Sequence, residues 1–323
     1  MYKIVIIGAG QLGSRHLQAL LKIKLPVAIE VMDSYQVSLD NAKSKAAEIQ
    51  ENFNIKSVKY VLSLDELSKD IDICIVATTA NVRSDVVKHL IAKSKVKNLI
   101  LEKVLFQKIE DYQPIANLLK INAINCWVNC PRRLFPIYQH IKSLIEPNEK
   151  ITYTVIGGDW GLACNAIHFI DHLSSLNGNT NFKFEKIGIT DVVKGRRQGY
   201  FELLGTLYGK QDNGSDIFLH SRKDSNANLS IQIFSEKYLW HIDESRGELK
   251  TYFSGDNWMP VTTSFTIPYQ SELTNLVCED ILLNGKSDLP TYQESKSLHQ
   301  AMMETFQEIF AEKLNIRDLC PIT

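Results

Sequence analysis

Two histidines, a lysine, an aspartate and three closely spaced glycines are the residues whose types and spacing fit chemistry in this sequence. His168 and His172 stand four apart in Ile167-His168-Phe169-Ile170-Asp171-His172, so on a helix they share one face. Imidazole titrates near neutrality and can take a hydroxyl proton as hydride leaves carbon. The alternative is one ring packed under the helix and the other facing solvent. Zinc would need a third ligand, and Phe169 stands where zinc peptidases place a glutamate, so no metal is expected. Lys103 follows the apolar run Leu99-Ile100-Leu101 and Glu102. There its charge would favour alkoxide character on a substrate oxygen, or it would simply form a solvated pair with Glu102.

Gly8-Ala9-Gly10-Gln11-Leu12-Gly13 leaves the apolar run Tyr2-Lys3-Ile4-Val5-Ile6-Ile7 and opens a helical pattern. Asp33, twenty residues beyond Gly13, closes the next run, Val27 to Met32. This order predicts a dinucleotide-binding unit. Gly8 permits the tight turn, Gly10 lets backbone approach a pyrophosphate, and Gly13 lets helix pack on strand. Gln11 and Leu12 start the helix whose free N–H groups face the phosphates. Asp33 is placed to bind the ribose hydroxyls, and its charge repels a 2′-phosphate. NAD is therefore the preferred cofactor, with NADP possible through Arg15 or Ser34. Thr78, Thr79 and Asn81 follow the run Ile71 to Ala77, and with Glu102 and Lys103 they are further candidates to line the cofactor.

Arg132 and Arg133 follow Pro131, where they could bind an anionic group or cap a surface turn. That makes a sugar acid or nucleotide-sugar worth testing as substrate. Tyr153, Trp160 and Trp240 could line or stiffen a pocket.

The elements that must position these groups follow two rhythms. Strand-like and helix-like segments alternate through about residue 130, which predicts a doubly wound parallel sheet of Rossmann type, covered on both faces. From Ile151 onward, runs such as Ile151 to Ile156 and Ser230 to Phe234 are separated by polar turns, which predicts a large, mostly antiparallel sheet in an α+β domain. A helix over 165–176 interrupts it, and two helices, 269–283 and 292–313, close the chain. The expected domains are 1–125 and 126–323, with terminal helices at about 290–314 packing back on the first.

A chain of 323 residues suits about two domains. Its net charge of −1 provides no basic field for nucleic acid or an anionic membrane. No apolar stretch approaches the ~20 residues of a membrane span. The chain begins directly on a strand-like run, so no cleavable signal is expected. Cys74 lies in an apolar strand, and Trp127 and Val128 between Cys126 and Cys130 suggest strand rather than a metal knuckle. A reduced cytoplasmic protein is expected.

Together these residues resemble the Gfo/Idh/MocA oxidoreductases. The glycine motif with downstream His16, the strand Asp72 to Thr78, Glu102-Lys103, the segment Asn129 to Pro136, the helix start Ile167 to Asp171 and the two closing helices occur in the family's order. The resemblance implies NAD(P)-dependent oxidation or reduction of a sugar, cyclitol, sugar acid or nucleotide-sugar, and assembly as a homodimer or homotetramer through the open sheet. It implies that Lys103 polarises the substrate hydroxyl, that His168 is the acid/base, and that Asp171 supports the helix end. A catalytically weak sensor or regulator of the same fold is the alternative. Three departures stand out. Val104 replaces the proline after Glu-Lys, which predicts a trans peptide bond there. Thr79 and Arg83 replace a proline and a histidine. Cys164 stands where the family carries an acid one turn before the histidine.

Overall fold

The first rhythm of the sequence forms six parallel strands: β1 (Tyr2–Ile7), β2 (Val27–Met32), β3 (Ile55–Val61), β4 (Asp70–Val76), β5 (Lys95–Leu101) and β6 (Asn125–Val128). Their order is β3-β2-β1-β4-β5-β6. In the computed structural model the backbone of residues 1–323 is described, with all side chains except those of 186 and 187. Helices α1 (Gln11–Leu20), α2 (Gln36–Ala46), α3 (Ala80–Lys93) and α4 (Tyr112–Ile121) make the connections. Ile4, Val5 and Ile6 are wholly buried, as residues of a parallel sheet with both faces covered must be. The chain leaves β1 toward β2 and β3, then crosses back to β4 on the other side. A crevice therefore opens at the carboxyl ends of β1 and β4, where ligands of such sheets bind.

The second rhythm gives α5 (Pro136–Ser143), β7 (Thr152–Gly158), α6 (Leu162–Asn177), β8 (Phe182–Lys194), β9 (Phe201–Gln211), β10 (Asp216–Arg222), β11 (Ser230–Phe234), β12 (Tyr238–Asp243), β13 (Glu248–Phe253) and β14 (Pro260–Ser264). These strands form one eight-stranded sheet in the order β14-β13-β12-β11-β7-β10-β9-β8. Only the β7–β10 pair is parallel. Alternate residues are buried on the face that α6 covers, among them Tyr153, Val155, Leu207, Leu219 and Ile233.

Two compact units result. Met1–Phe106, Glu110–Pro131 and Pro268–Gln293 form the first; Gln107–Ile109, Arg132–Ile267 and Glu294–Thr323 form the second. This corrects the expected boundary after residue 125, because β6 pairs in parallel with β5 and completes the first sheet. The last helix starts in the first unit, where the Tyr292 hydroxyl donates to the Tyr112 carbonyl at 2.8 Å. Before it, α7 (Thr274–Asn284) joins the first unit, and its Glu279 accepts the Lys24 backbone N–H at 2.8 Å. α8 (Tyr292–Leu314) enters the second unit after its opening turn and buries Phe306 and Phe310, the latter against Phe201.

Candidate functional site

The glycine loop is built by close approach. A Cβ at Gly13 would lie 1.8 Å from the Gly8 carbonyl oxygen, so only glycine lets α1 start this near the loop. Gly8 has φ +96°, and a Cβ there would meet the Ala77 and Thr78 backbone at 2.9 Å. Gly10 is exposed with nothing near its missing Cβ, which leaves its backbone open to a ligand. Asp33 is tied to this loop: Oδ2 accepts the Ala9 N–H at 2.7 Å and Oδ1 accepts the Tyr35 N–H at 2.9 Å. A carboxylate offers about four acceptor positions, so roughly two remain for hydroxyl donors. Beside the loop, a groove of about 450 Å³ runs between Gly10, Gln11 and Ser14 on one wall and Ser38, Asn41 and Lys45 on the other. Leu12 is half-buried in the first turn of α1, and Ser34 is exposed just beyond Asp33. An open backbone at Gly10, a helix start and a fixed carboxylate suit a dinucleotide. Arg15, by contrast, spends its guanidinium on Gln18 of its own helix at 2.9 Å.

At the end of β5, Glu102 is 3% exposed, which corrects its expected place among the cofactor contacts. Its Oε1 accepts from His16 Nε2 at 2.9 Å and from Asn129 Nδ2 at 2.6 Å. His16 Nδ1 meets Thr274 Oγ1 at 2.8 Å, and Asn129 also donates to Gln270 at 2.9 Å. Burial pushes the Glu102 carboxyl up, but His16 and Asn129 outweigh it and hold the pKa below the ordinary value. This clamp fixes the backbone from which half-buried Lys103 projects. The Lys103–Val104 peptide bond is cis, correcting the expectation of a trans bond. Arg83, buried in α3, donates Nη1 to the carbonyls of Val104 and Leu105 and Nη2 to that of Thr78, so one guanidinium ties the two strand-end loops together. Thr79 precedes α3 without a side-chain cap, and Asn81 is exposed in its first turn.

In the second unit α6 begins after Gly161 and ends at Gly178, both at left-handed φ. His168 is half-buried, whereas His172 is fully buried. His172 Nδ1 shares a 2.8 Å hydrogen bond with Tyr153 Oη, and the Tyr138 ring lies 4.1 Å from its own. Burial first, then the charges of Arg132, Arg133 and Lys142, push its pKa well below the ordinary value. His172 is a neutral packing residue, which leaves His168 as the proton-transfer candidate of the pair. Asp171 is also fully buried and holds Arg133 in a two-pronged ion pair at 2.9 and 2.7 Å. Its carboxylate holds the Arg133 guanidinium in place. Arg132 forks onto Glu244 at 3.2 and 2.9 Å and lies 4.1 Å over the Phe169 ring. Both arginines thus carry internal carboxylates, which corrects the reading of them as an anion site. Tyr153 and Trp240 are core residues, not pocket walls. Trp160 is half-buried and donates to the His220 carbonyl at 2.8 Å.

Residues 2–130 match the model of an oxidoreductase family with an NAD-binding Rossmann fold. That model is the one of the Gfo/Idh/MocA family. The whole chain is similar to UDP-N-acetylglucosamine 3-dehydrogenase from Acidithiobacillus ferrooxidans, with TM-score 0.73, 15% identity and coverage of 94% of this chain and 95% of that one. An Agrobacterium radiobacter oxidoreductase, crystallised with NAD+, L-tartaric acid and magnesium, gives TM-score 0.68 at 15% identity over 94% of each chain. Gal80p from Saccharomyces cerevisiae gives 0.70 at 15% identity, over 97% of this chain and 96% of that one. At such identities the likeness is one of fold. No curated protein sequence matches.

Relative to the Gfo/Idh/MocA pattern, the first turn of α6 holds a residue that sequence reasoning missed. Glu202 on β9 reaches this turn, and its Oε2 accepts the N–H groups of Ala163 at 2.9 Å and Cys164 at 3.4 Å. These are donors that a helix start leaves without intrahelical partners. The signal in the sequence was faint: one acid inside the apolar run Phe201-Glu202-Leu203-Leu204.

Proposed function

We propose that this protein is an NAD-dependent oxidoreductase that moves a hydride between nicotinamide and a hydroxyl or carbonyl carbon of a sugar, cyclitol, sugar acid or nucleotide-sugar. The observation that carries the reading is the Asp33 carboxylate fixed against the glycine loop at the end of β2. Bound nicotinamide would supply the hydride acceptor or donor. Among the chain's own groups, His168 takes or returns a hydroxyl proton, and Lys103 stabilises charge on a substrate oxygen. The Glu102 clamp holds Lys103, and the Arg133–Asp171 pair anchors the helix that bears His168.

The cofactor half of this reading has a direct test. Replacing Asp33 with alanine removes both ribose acceptors and the Ala9 tie, so NAD affinity should fall about 10–100-fold. NADP, no longer repelled, should lose far less, and calorimetric titration of both cofactors would reveal it. Equal losses for NAD and NADP would contradict the role given to Asp33.

A regulatory reading draws support from one observation, the absence of the family's acid at Cys164, in a fold shared with Gal80p. It predicts NAD binding without turnover on any substrate.

We also propose that the protein is a cytoplasmic homodimer or homotetramer, assembled through the sheet face opposite α6. On that face Ile156, Phe218 and Phe234 are 49%, 39% and 48% exposed. Exposed apolar groups on neighbouring strands suit burial against a second copy. A Phe218→Asp, Phe234→Asp pair should halve the mass measured by sedimentation. An unchanged mass would place the interface elsewhere. None of the six cysteines is in a disulfide, which suits a reducing compartment, and no helix among the described residues is long and apolar enough to cross a membrane.

A further inference from the structure

The first turn of α6 poses an electrostatic problem that its own sequence does not solve. Position 164 lies one turn before His168 on the same helix face, and it is a cysteine with no fixed charge. Two strands of observation show a substitute arriving from elsewhere. Glu202 comes from β9, and its carboxylate accepts from the Ala163 and Cys164 N–H groups, so it is fixed at position 164. Gly161 makes room for it, since a Cβ there would lie 3.2 Å from Glu202 Oε1.

We propose that Glu202 supplies, from a neighbouring strand, the carboxylate charge that position 164 lacks, and that this charge sets the protonation of His168. The role rests on the reading of His168 as the acid/base group. Glu202 is a positioning residue acting through His168. Four residues separate position 164 from His168, about 6 Å of helix, a distance at which opposite charges still couple. The other charged groups against α6 are largely committed. Arg132 faces Glu244, Arg133 faces Asp171 and Glu294, and His172 is held neutral beside Tyr153 and Tyr138. His220 on β10 engages Thr206 at 2.9 Å. Glu202 is thus the carboxylate delivered to the turn that precedes His168.

The test is a titration of His168 by NMR with isotope-labelled histidine in the full-length protein, its signal assigned by its loss in His168→Gln. Glu202→Gln keeps an acceptor oxygen for the helix start and removes only the charge. The His168 pKa should fall by about 0.5–1 unit, because a nearby negative charge favours the imidazolium. Adding Cys164→Asp to Glu202→Gln moves the acid onto the helix itself and should restore the wild-type pKa. If Glu202→Gln alone does not fold, the double variant is compared with Cys164→Asp alone: a lower His168 pKa in the double variant supports the proposal, and equal values overturn it. A Glu202→Gln protein that folds and titrates at His168 as wild type does would also overturn it, because a merely structural cap leaves that pKa in place. The readout needs no turnover, so the two readings fail separately. A shifted His168 in an enzyme that keeps full turnover as His168→Ala would sink the catalytic reading and leave the Glu202 effect standing.

Discussion

Replacing His168 with alanine should lower turnover about 10²–10⁴-fold while leaving NAD affinity within experimental error, the usual share of one positioned acid/base group. The prediction follows from how the two histidines of α6 differ. His172 is fully buried against Tyr153 and Tyr138 and held neutral, so only half-buried His168 can exchange a proton with a ligand. His172→Phe should accordingly alter stability more than turnover. Lys103→Ala should cost about 10²–10³-fold, since it removes one group that stabilises developing charge on oxygen. Steady-state kinetics beside a cofactor titration separate these effects from a lost binding site. A His168→Ala enzyme with unchanged kcat would remove His168 from the mechanism.

The second large effect concerns stability. Asp171→Ala should destabilise the second unit by about 3–5 kcal/mol, because it removes two charge-assisted hydrogen bonds and the countercharge from a mostly buried guanidinium. The side chains of Arg133 and Asp171 are 10% and 1% exposed, and the pair is held by two hydrogen bonds. Glu294 meets Arg133 at 3.4 Å but is itself 40% exposed, so it replaces little of what is lost. Removing both charges with Asp171→Ala and Arg133→Leu should recover part of the loss, as neither partner then remains buried alone. Urea unfolding of the three variants measures this. A loss below about 1 kcal/mol for the single variant would mean that solvent reaches the guanidinium after all.

What could be read from the sequence was local. The strand–glycine–helix–strand unit with Asp33 is written within the first 33 residues; Gly8 and Gly13 have the steric reasons that their spacing implies, and Gly10 leaves open backbone. The two sheet classes were legible because their periods differ, continuous apolar runs in one and alternation with polar turns in the other. The misreadings all involve partners far along the chain. Arg132 looked like an anion site because Glu244, its carboxylate, lies 112 residues away. Glu102 looked available until His16, Asn129 and the returning α7 closed around it. Val104 promised a trans bond because a residue other than proline carries no local signal for a cis one. Glu202 lies 38 residues beyond Cys164, and no pattern in its strand announces that it will cap a helix. Periodicity assigns elements, but it does not say which charges those elements bring together.

We propose that this chain passes hydride between NAD and a carbohydrate-type carbon. The most direct measurement supplies NAD with a panel of sugars, cyclitols, sugar acids and nucleotide-sugars and follows the absorbance of NADH, with His168→Ala protein run in parallel. Steady NADH formation with at least one member of the panel, abolished in the His168 variant, is the result expected here. Tight NAD binding with no NADH formed from any member, and no NADH consumed with the matching ketones, would contradict it and favour the regulatory reading.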